Sequence, residues 1–149
     1  MATPNTTFVA NTVLTAAQMN NLPFGVMGYV SKVDANFAIT TTSTTITGST
    51  ITFTGVAGRI YKASFQGLSQ KGTADNIITF KIFKGATQIN QSSQYLVSGA
   101  YYIPNGIAVF TATGSTSMTV QATADSGTGT IYCSATNPFT FVIEDIGTA

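Results

Sequence analysis

Hydrophobic residues recur with a period of two along most of the chain. The clearest run is Asn137-Pro138-Phe139-Thr140-Phe141-Val142-Ile143-Glu144-Asp145-Ile146-Gly147. After the Asn-Pro turn signal, Phe139, Phe141 and Ile143 fall on one side and Thr140, Val142 and Glu144 on the other, because side chains alternate along a strand. One face is apolar and the other mixed, which predicts a central strand with a partner on each side. A chain that closes in the middle of a sheet should unfold when cut there.

Upstream, the pattern predicts strands at 26–33, 37–42, 45–54, 59–68, 77–84, 88–97, 100–113, 117–124 and 130–135, with the last at 139–146. Turn signals separate them at intervals of about ten residues, the spacing of an all-β antiparallel sandwich. Ile78, Phe80 and Ile82 share one face of the strand from Ile77, and Gly85-Ala86 then predicts a tight hairpin. In the run from Ile60, the Tyr61 and Phe65 side is the better core candidate. Ile46, Ile51 and Phe53 anchor a Thr-rich stretch whose β-branched residues suit strands. Pro104-Asn105-Gly106 interrupts 100–113 and predicts a bend, an edge or two strands joined by a turn; a bend would fit a strand crossing between sheets. Residues 113–116 and 125–129 are predicted turns.

Residues 1–28 break the alternation and read as an N-terminal arm ahead of a sandwich domain at 29–149. Thr15-Ala16-Ala17-Gln18 matches a capping box, with Leu14 and Met19 placed as its hydrophobic staple, so a short helix is predicted from Ala16 until Pro23 stops it. Two turns do not hold alone. Phe8, Val13, Leu14, Met19, Leu22 and Phe24 must pack either on this domain's own base or on a neighbouring protein.

Composition sharpens the picture. The 149 residues are 44% hydrophobic and 11% aromatic, enough for a sizeable core. Only 7% are charged and the net charge is +1, against roughly 25% charged in an ordinary soluble domain. A surface of Thr, Ser, Asn and Gln near neutrality points to an assembled state or to carriage on a larger particle. Lys32, Arg59, Lys62, Lys71, Lys81 and Lys84 are scattered, so nucleic-acid binding is not expected. No apolar run approaches the about 20 residues of a membrane helix, and no membrane insertion is expected. Nor does Met1-Ala2-Thr3-Pro4-Asn5 resemble a secretory signal. Synthesis in a cytoplasm is expected; if the protein acts outside a cell, it leaves by another route, such as lysis.

Candidate chemistry is sparse. The chain has no histidine, which removes the commonest general base and His-based metal sites. Glu144 and Asp145 are adjacent, so on a strand they point to opposite faces and would converge only at a bulge or strand end. They are expected to meet a turn or a neighbouring Lys or Arg. Asp34, Asp75 and Asp125 sit in turn contexts that favour backbone hydrogen bonds over calcium. Gly127-Thr128-Gly129 lacks the helix and lysine of a phosphate cradle. Cys133 is the single cysteine and reads as a small buried hydrophobe. Tyr61, Tyr95, Tyr101, Tyr102 and Tyr132 could stack on sugars, although core and interface roles come first. Tyr101 and Tyr102, with Asn105, form the best candidate for an outer binding loop. No catalytic residue, cofactor or metal site is expected.

Two end segments carry a resemblance. Phe8-Val9-Ala10-Asn11-Thr12-Val13-Leu14-Thr15-Ala16-Ala17-Gln18-Met19-Asn20 resembles a segment near the start of tailed-bacteriophage structural proteins. Phe141-Val142-Ile143-Glu144-Asp145-Ile146-Gly147 resembles the final strand of small phage virion domains. The resemblance implies a jelly-roll-like sandwich, a homotrimer and a non-enzymatic role in the virion. Its leading implication is a capsid decoration or cement protein docked through the arm on the major capsid protein or another virion protein. Its alternative is a tail or head fibre knob that binds a host-surface receptor or glycan. A small polysaccharide-degrading enzyme, using Glu144 or a loop aspartate, is the remote third reading.

Overall fold

The computed structural model describes residues 22–72 and 75–148. Its strands are β1 (Gly25–Lys32), β2 (Phe37–Ile39), β3 (Thr44–Thr45), β4 (Ile51–Gly55), β5 (Arg59–Gln66), β6 (Leu68–Lys71), β7 (Asn76–Lys84), β8 (Thr87–Leu96), β9 (Tyr101–Tyr102), β10 (Asn105–Thr111), β11 (Gly114–Ala124), β12 (Gly129–Tyr132) and β13 (Phe139–Thr148). Strand order is β1-β13-β5-β10 in one sheet and β2-β12-β6-β9 in a second, while β3 or β4, β11, β7 and β8 make the third.

The first two sheets are halves of one. Each strand of the second half continues its counterpart in the first, and all four are interrupted at one level: at 33–36, at Gly67, at 103–104 and at 133–138. The Gly67 N–H donates to the Pro104 carbonyl at 3.2 Å across that level. With the halves joined, first, eighth, third and sixth runs face second, seventh, fourth and fifth, which is a jelly-roll arrangement. The all-β antiparallel sandwich expected from the alternation is therefore the observed fold. Its first strand begins at Gly25, inside the 1–28 assigned to the arm. The helix expected from Ala16, and Phe8, Val13, Leu14 and Met19, lie outside the described residues.

The core forms where the inner faces meet. β5 contributes Tyr61, Ala63 and Phe65, β13 contributes Phe139, Phe141 and Ile143, and β7 contributes Ile78, Phe80 and Ile82, all buried. Phe53, Tyr61 and Phe110 cluster with ring centroids 5.0 to 6.3 Å apart, and Phe65 lies 5.8 Å from Phe80 and 6.1 Å from Phe139. Buried Tyr61 satisfies its hydroxyl by accepting from the Val56 N–H at 2.8 Å. Gly28 lets β1 close the sandwich against β4: a Cβ there would come within 2.3 Å of Ile51 Cγ2. Gly85, at φ 56°, makes the predicted β7–β8 hairpin.

Several expected elements differ. The strand at 45–54 is two, because the chain turns at Gly48 (φ 83°) and buried Ser49 takes over the pairing with Val120, donating from its hydroxyl to that carbonyl at 3.0 Å. Phe37–Ile39 is shorter than the predicted 37–42. The turn expected over 113–116 is confined to 112–113, since Gly114 already pairs with Gly55. Pro104 divides 100–113 into β9 and β10, but both stay in the long sheet rather than crossing to the other.

Phe80 is fully buried and its ring lies 5.8 Å from that of Phe65 on the facing sheet, so Phe80→Ala is expected to cost about 3–5 kcal/mol of unfolding free energy. Exposed Thr54→Ala should stay within about 0.5 kcal/mol. Urea titration followed by tyrosine fluorescence compares the two.

Candidate assembly surface

The base of the long sheet is held by a buried ion pair. Arg59 opens β5 after a turn whose Gly58 has φ 78°, and Asp145 lies near the end of β13; they are 3% and 2% exposed. The Arg59 Nε donates to one Asp145 oxygen, and its Nη2 donates to the other at 2.6 Å. A register shift between Asp145 and Gly147 turns the Gly147 N–H back onto Asp145 Oδ1 at 2.9 Å. Arg59 Nη2 also donates to the Leu22 carbonyl at 2.6 Å, and the guanidinium carbon lies 3.8 Å from the centroid of the Phe24 ring. One cation therefore grips the last strand and the entry to the first.

Burial alone would push the Asp145 carboxyl up. The Arg59 hydrogen bonds, the Gly147 N–H, the Arg59 charge and the Phe24 N–H outweigh it and hold the group below the usual carboxylate range. The Asp145 hydrogen bond in turn raises Arg59, against burial.

The outer faces of the two sheets differ in chemistry. β7, β8 and β11 present Lys81, Gln91, Ser93, Thr119 and Gln121 beside half-buried Ile77 and Phe83, with Thr79 buried among them and Tyr95 exposed at one end. On the long sheet, side chains directly across from one another share a face, which gives the outward rows Val26-Glu144-Lys62-Val109, Tyr29-Val142-Ser64-Ile107 and Ser31-Thr140-Gln66-Asn105. Tyr29 is 59% exposed, Ile107 61%, and Val26 and Val109 62% each. Lys62 and Glu144 pair with each other at 2.6 Å between those edges. The apolar side chains thus lie on edge strands β1 and β10, with a neutral pair in the middle.

The sequence-derived candidates are dispersed. Leu22 and Phe24 are exposed at the Arg59 node. Tyr101 is exposed and packs at a tilt against Tyr132, ring centroids 6.0 Å apart, and the Tyr132 hydroxyl donates to Gln70 Oε1 at 2.6 Å. Tyr102 is half-buried against the core, and Asn105 is exposed where β10 starts. Cys133 is buried, and burial pushes its thiol up. Asp34 accepts from Lys32 and the Ala35 N–H, and Asp75 from the Ser98 N–H at 2.6 Å. Glu144 and Asp145 point to opposite faces, each toward its own cation, as the alternation requires. Among the described residues no group of three or more His, Cys, Asp or Glu gathers as a metal site.

Two features escaped the sequence reading. Arg59 was only one of six scattered cations. Ile107 and Val109 alternate with Ala108 and Phe110, so both faces of that run are apolar, and the outer pair is exposed.

No family model matches this chain. No curated protein matches it in sequence. Among solved structures, the Eiger TNF of S. frugiperda is similar at TM-score 0.58 and 8% identity, over 84% of this chain and 94% of that one. At that identity the likeness is one of fold. A looser likeness, TM-score 0.45 and 12% identity, is to infectious bursal disease virus, Gt strain, over 98% of this chain and 43% of that one. The CBM36-1 domain of a xylanase from the hindgut metagenome of Trinervitermes trinervoides is similar at TM-score 0.42 and 13% identity, over 77% and 94%.

Because Asp145 is depressed in the fold, its contribution is complete above its ordinary value of 3.8 and is lost as pH falls through the folded value. Asp145→Asn is expected to lose about 3–5 kcal/mol at neutral pH, leaving Arg59 buried without its partner. The stability gap between wild type and variant should narrow in urea titrations below about pH 4.

Proposed function

We propose that this chain is a non-enzymatic structural protein of a bacteriophage virion, a capsid decoration or cement protein that docks through its N-terminal arm. What supports this reading is the Arg59–Asp145 node. It fastens Leu22 and Phe24 to the base of the sandwich and so gives residues 1–21 a fixed point of departure. A rigid root lets docking energy in the arm hold the whole domain, at less entropic cost than a loose tether. The low charge and the resemblance of both end segments to phage virion proteins point the same way. The acid pair that glycoside hydrolysis would need is engaged elsewhere: Glu144 faces Lys62 outside and Asp145 faces Arg59 inside.

A fibre knob is the second reading, favoured by exposed Tyr101 packed at a tilt against Tyr132, an aromatic surface of the kind that sugars use. Host-cell binding abolished by Tyr101→Ala would move the role from capsid to fibre.

The test of the leading reading uses particles lacking the protein, incubated with purified full chain and sedimented. Wild type is expected to co-sediment. Leu14→Asp with Met19→Asp should weaken binding by about tenfold or more, with the circular dichroism spectrum unchanged. Retention at the wild-type level would overturn docking through the arm.

A further inference from the structure

We infer that the mouth of the sandwich beside Lys84 is a carboxylate-binding site, and that it takes an acidic side chain of the protein surface on which the base rests. The choice of that source rests on the virion reading above; the site itself does not.

Lys84 closes the inner row of β7. Ile78, Phe80 and Ile82 ahead of it on the same face are fully buried, whereas Lys84 is half-buried where the two sheets part. Its ammonium crosses that gap and donates to the Thr111 carbonyl of β10 at 3.1 Å. A lysine ammonium carries three donors, so two are left over. Beside it lies a cavity of about 370 Å³, lined by Lys84, Thr111, Thr113, Ser115, Thr116 and Ser117. Thr116 is tied to the Gly114 carbonyl at 3.3 Å. Among the described residues, no protein group holds the Thr113, Ser115 or Ser117 hydroxyl.

No acidic side chain of this chain answers the Lys84 charge. Of the five acids, Asp34 faces Lys32, Glu144 faces Lys62 and Asp145 faces Arg59. Asp75 precedes β7, and Asp125 follows Ala124, the partner of Ile78. Both therefore stand at the far end of that strand, roughly 25 Å from Lys84 at about 3.3 Å per residue. The other lysines without a carboxylate are placed differently. Lys71 is buried and held by two carbonyls, and Lys81 stands on open sheet between Gln91 and Gln121.

One ammonium matches a singly charged anion with two oxygens. A carboxylate there accepts from Lys84 and from the hydroxyls around it, in charge-assisted hydrogen bonds. A phosphate brings more negative charge than one lysine neutralises. The volume lies at the small end of ligand sites, which suits one side chain rather than an extended chain. Position names the source. Ile60, the neighbour of Arg59, pairs with Thr111, so the cavity and the Arg59 node open at the same end of the molecule. β1 and β10 are three strand spacings apart, about 14 Å. A surface that takes the arm beyond Leu22 therefore also lies under Lys84.

The first arm of the test titrates the purified full chain with acetyl-glutamate methylamide, with the glutamine counterpart as a neutral control, and follows amide signals by NMR. Saturable shifts around Lys84, Ser115 and Ser117 are expected with the glutamate probe alone. Lys84→Gln should weaken that binding by about tenfold or more. Ser117→Asp should abolish it by placing the chain's own carboxylate in the cavity, and Lys84→Arg, which keeps the cation, should retain it. Equal shifts with the neutral probe, or wild-type affinity in Lys84→Gln and Ser117→Asp, overturns the site. The second arm is co-sedimentation with particles lacking the protein, where Lys84→Gln should bind more weakly and Lys81→Gln as wild type. Undiminished binding of Lys84→Gln overturns the assignment of the partner. A wild type that takes the probe but leaves the particles bare sinks the virion reading instead and leaves the carboxylate site standing.

Discussion

The paired geometry of Arg59 and Asp145 is the constraint on which the rest of the long sheet depends. The two residues are 86 positions apart in sequence and meet where β1 begins, β5 begins and β13 nears its end. A buried ion pair is weak evidence for stability, because desolvating two charges offsets most of their attraction. Its stronger effect here is on position. The carboxylate accepts from a guanidinium, from the Gly147 N–H beyond a register shift and from the Phe24 N–H, so only one placement of the three strand ends satisfies every donor. Slipping β13 by one residue would turn Phe141 and Ile143 outward and carry Asp145 away from Arg59.

Much of this architecture is legible in the sequence, because alternation is a local property and the core faces are consistent. Phe139, Phe141 and Ile143, or Ile78, Phe80 and Ile82, can only be an inner face, and they are. The interruptions are less legible. Ser49 ends one strand by substituting for a backbone partner on β11, a choice visible only once Val120 is beside it. The long sheet is broken at a shared level by Gly67, Pro104 and two loops that are far apart in sequence. Of the candidate surface, the alternation places Glu144 and Asp145 on opposite faces, yet nothing local singles out Arg59 as the cation that finds the inner one.

The two outer faces also show how so few charges suffice. Around Lys81, Phe83 and Tyr95, the sheet of β7, β8 and β11 offers water the hydroxyls and amides of Thr119, Ser93, Gln91 and Gln121, which carry no net charge. Between β5 and β13 the charges stand in neutral couples: Arg59 with Asp145 beneath and Lys62 with Glu144 above. Elsewhere, buried Lys71 is held by the carbonyls of Ser126 at 2.6 Å and Thr128 at 3.3 Å, fastening a turn rather than facing solvent. Arg59 and Lys71 serve as internal fasteners, while Lys62 is neutralised on the surface by Glu144.

The pairing of β1 with β13 gives the molecule a mechanical character. A pull arriving through Leu22 and directed along β1 meets the Arg59 node first. Beyond it lies an antiparallel ladder loaded lengthwise, in shear, so that its hydrogen bonds share the force instead of opening one after another. A domain tethered at that end would resist being dragged from its support far better than it would resist being peeled at the free edge of β8.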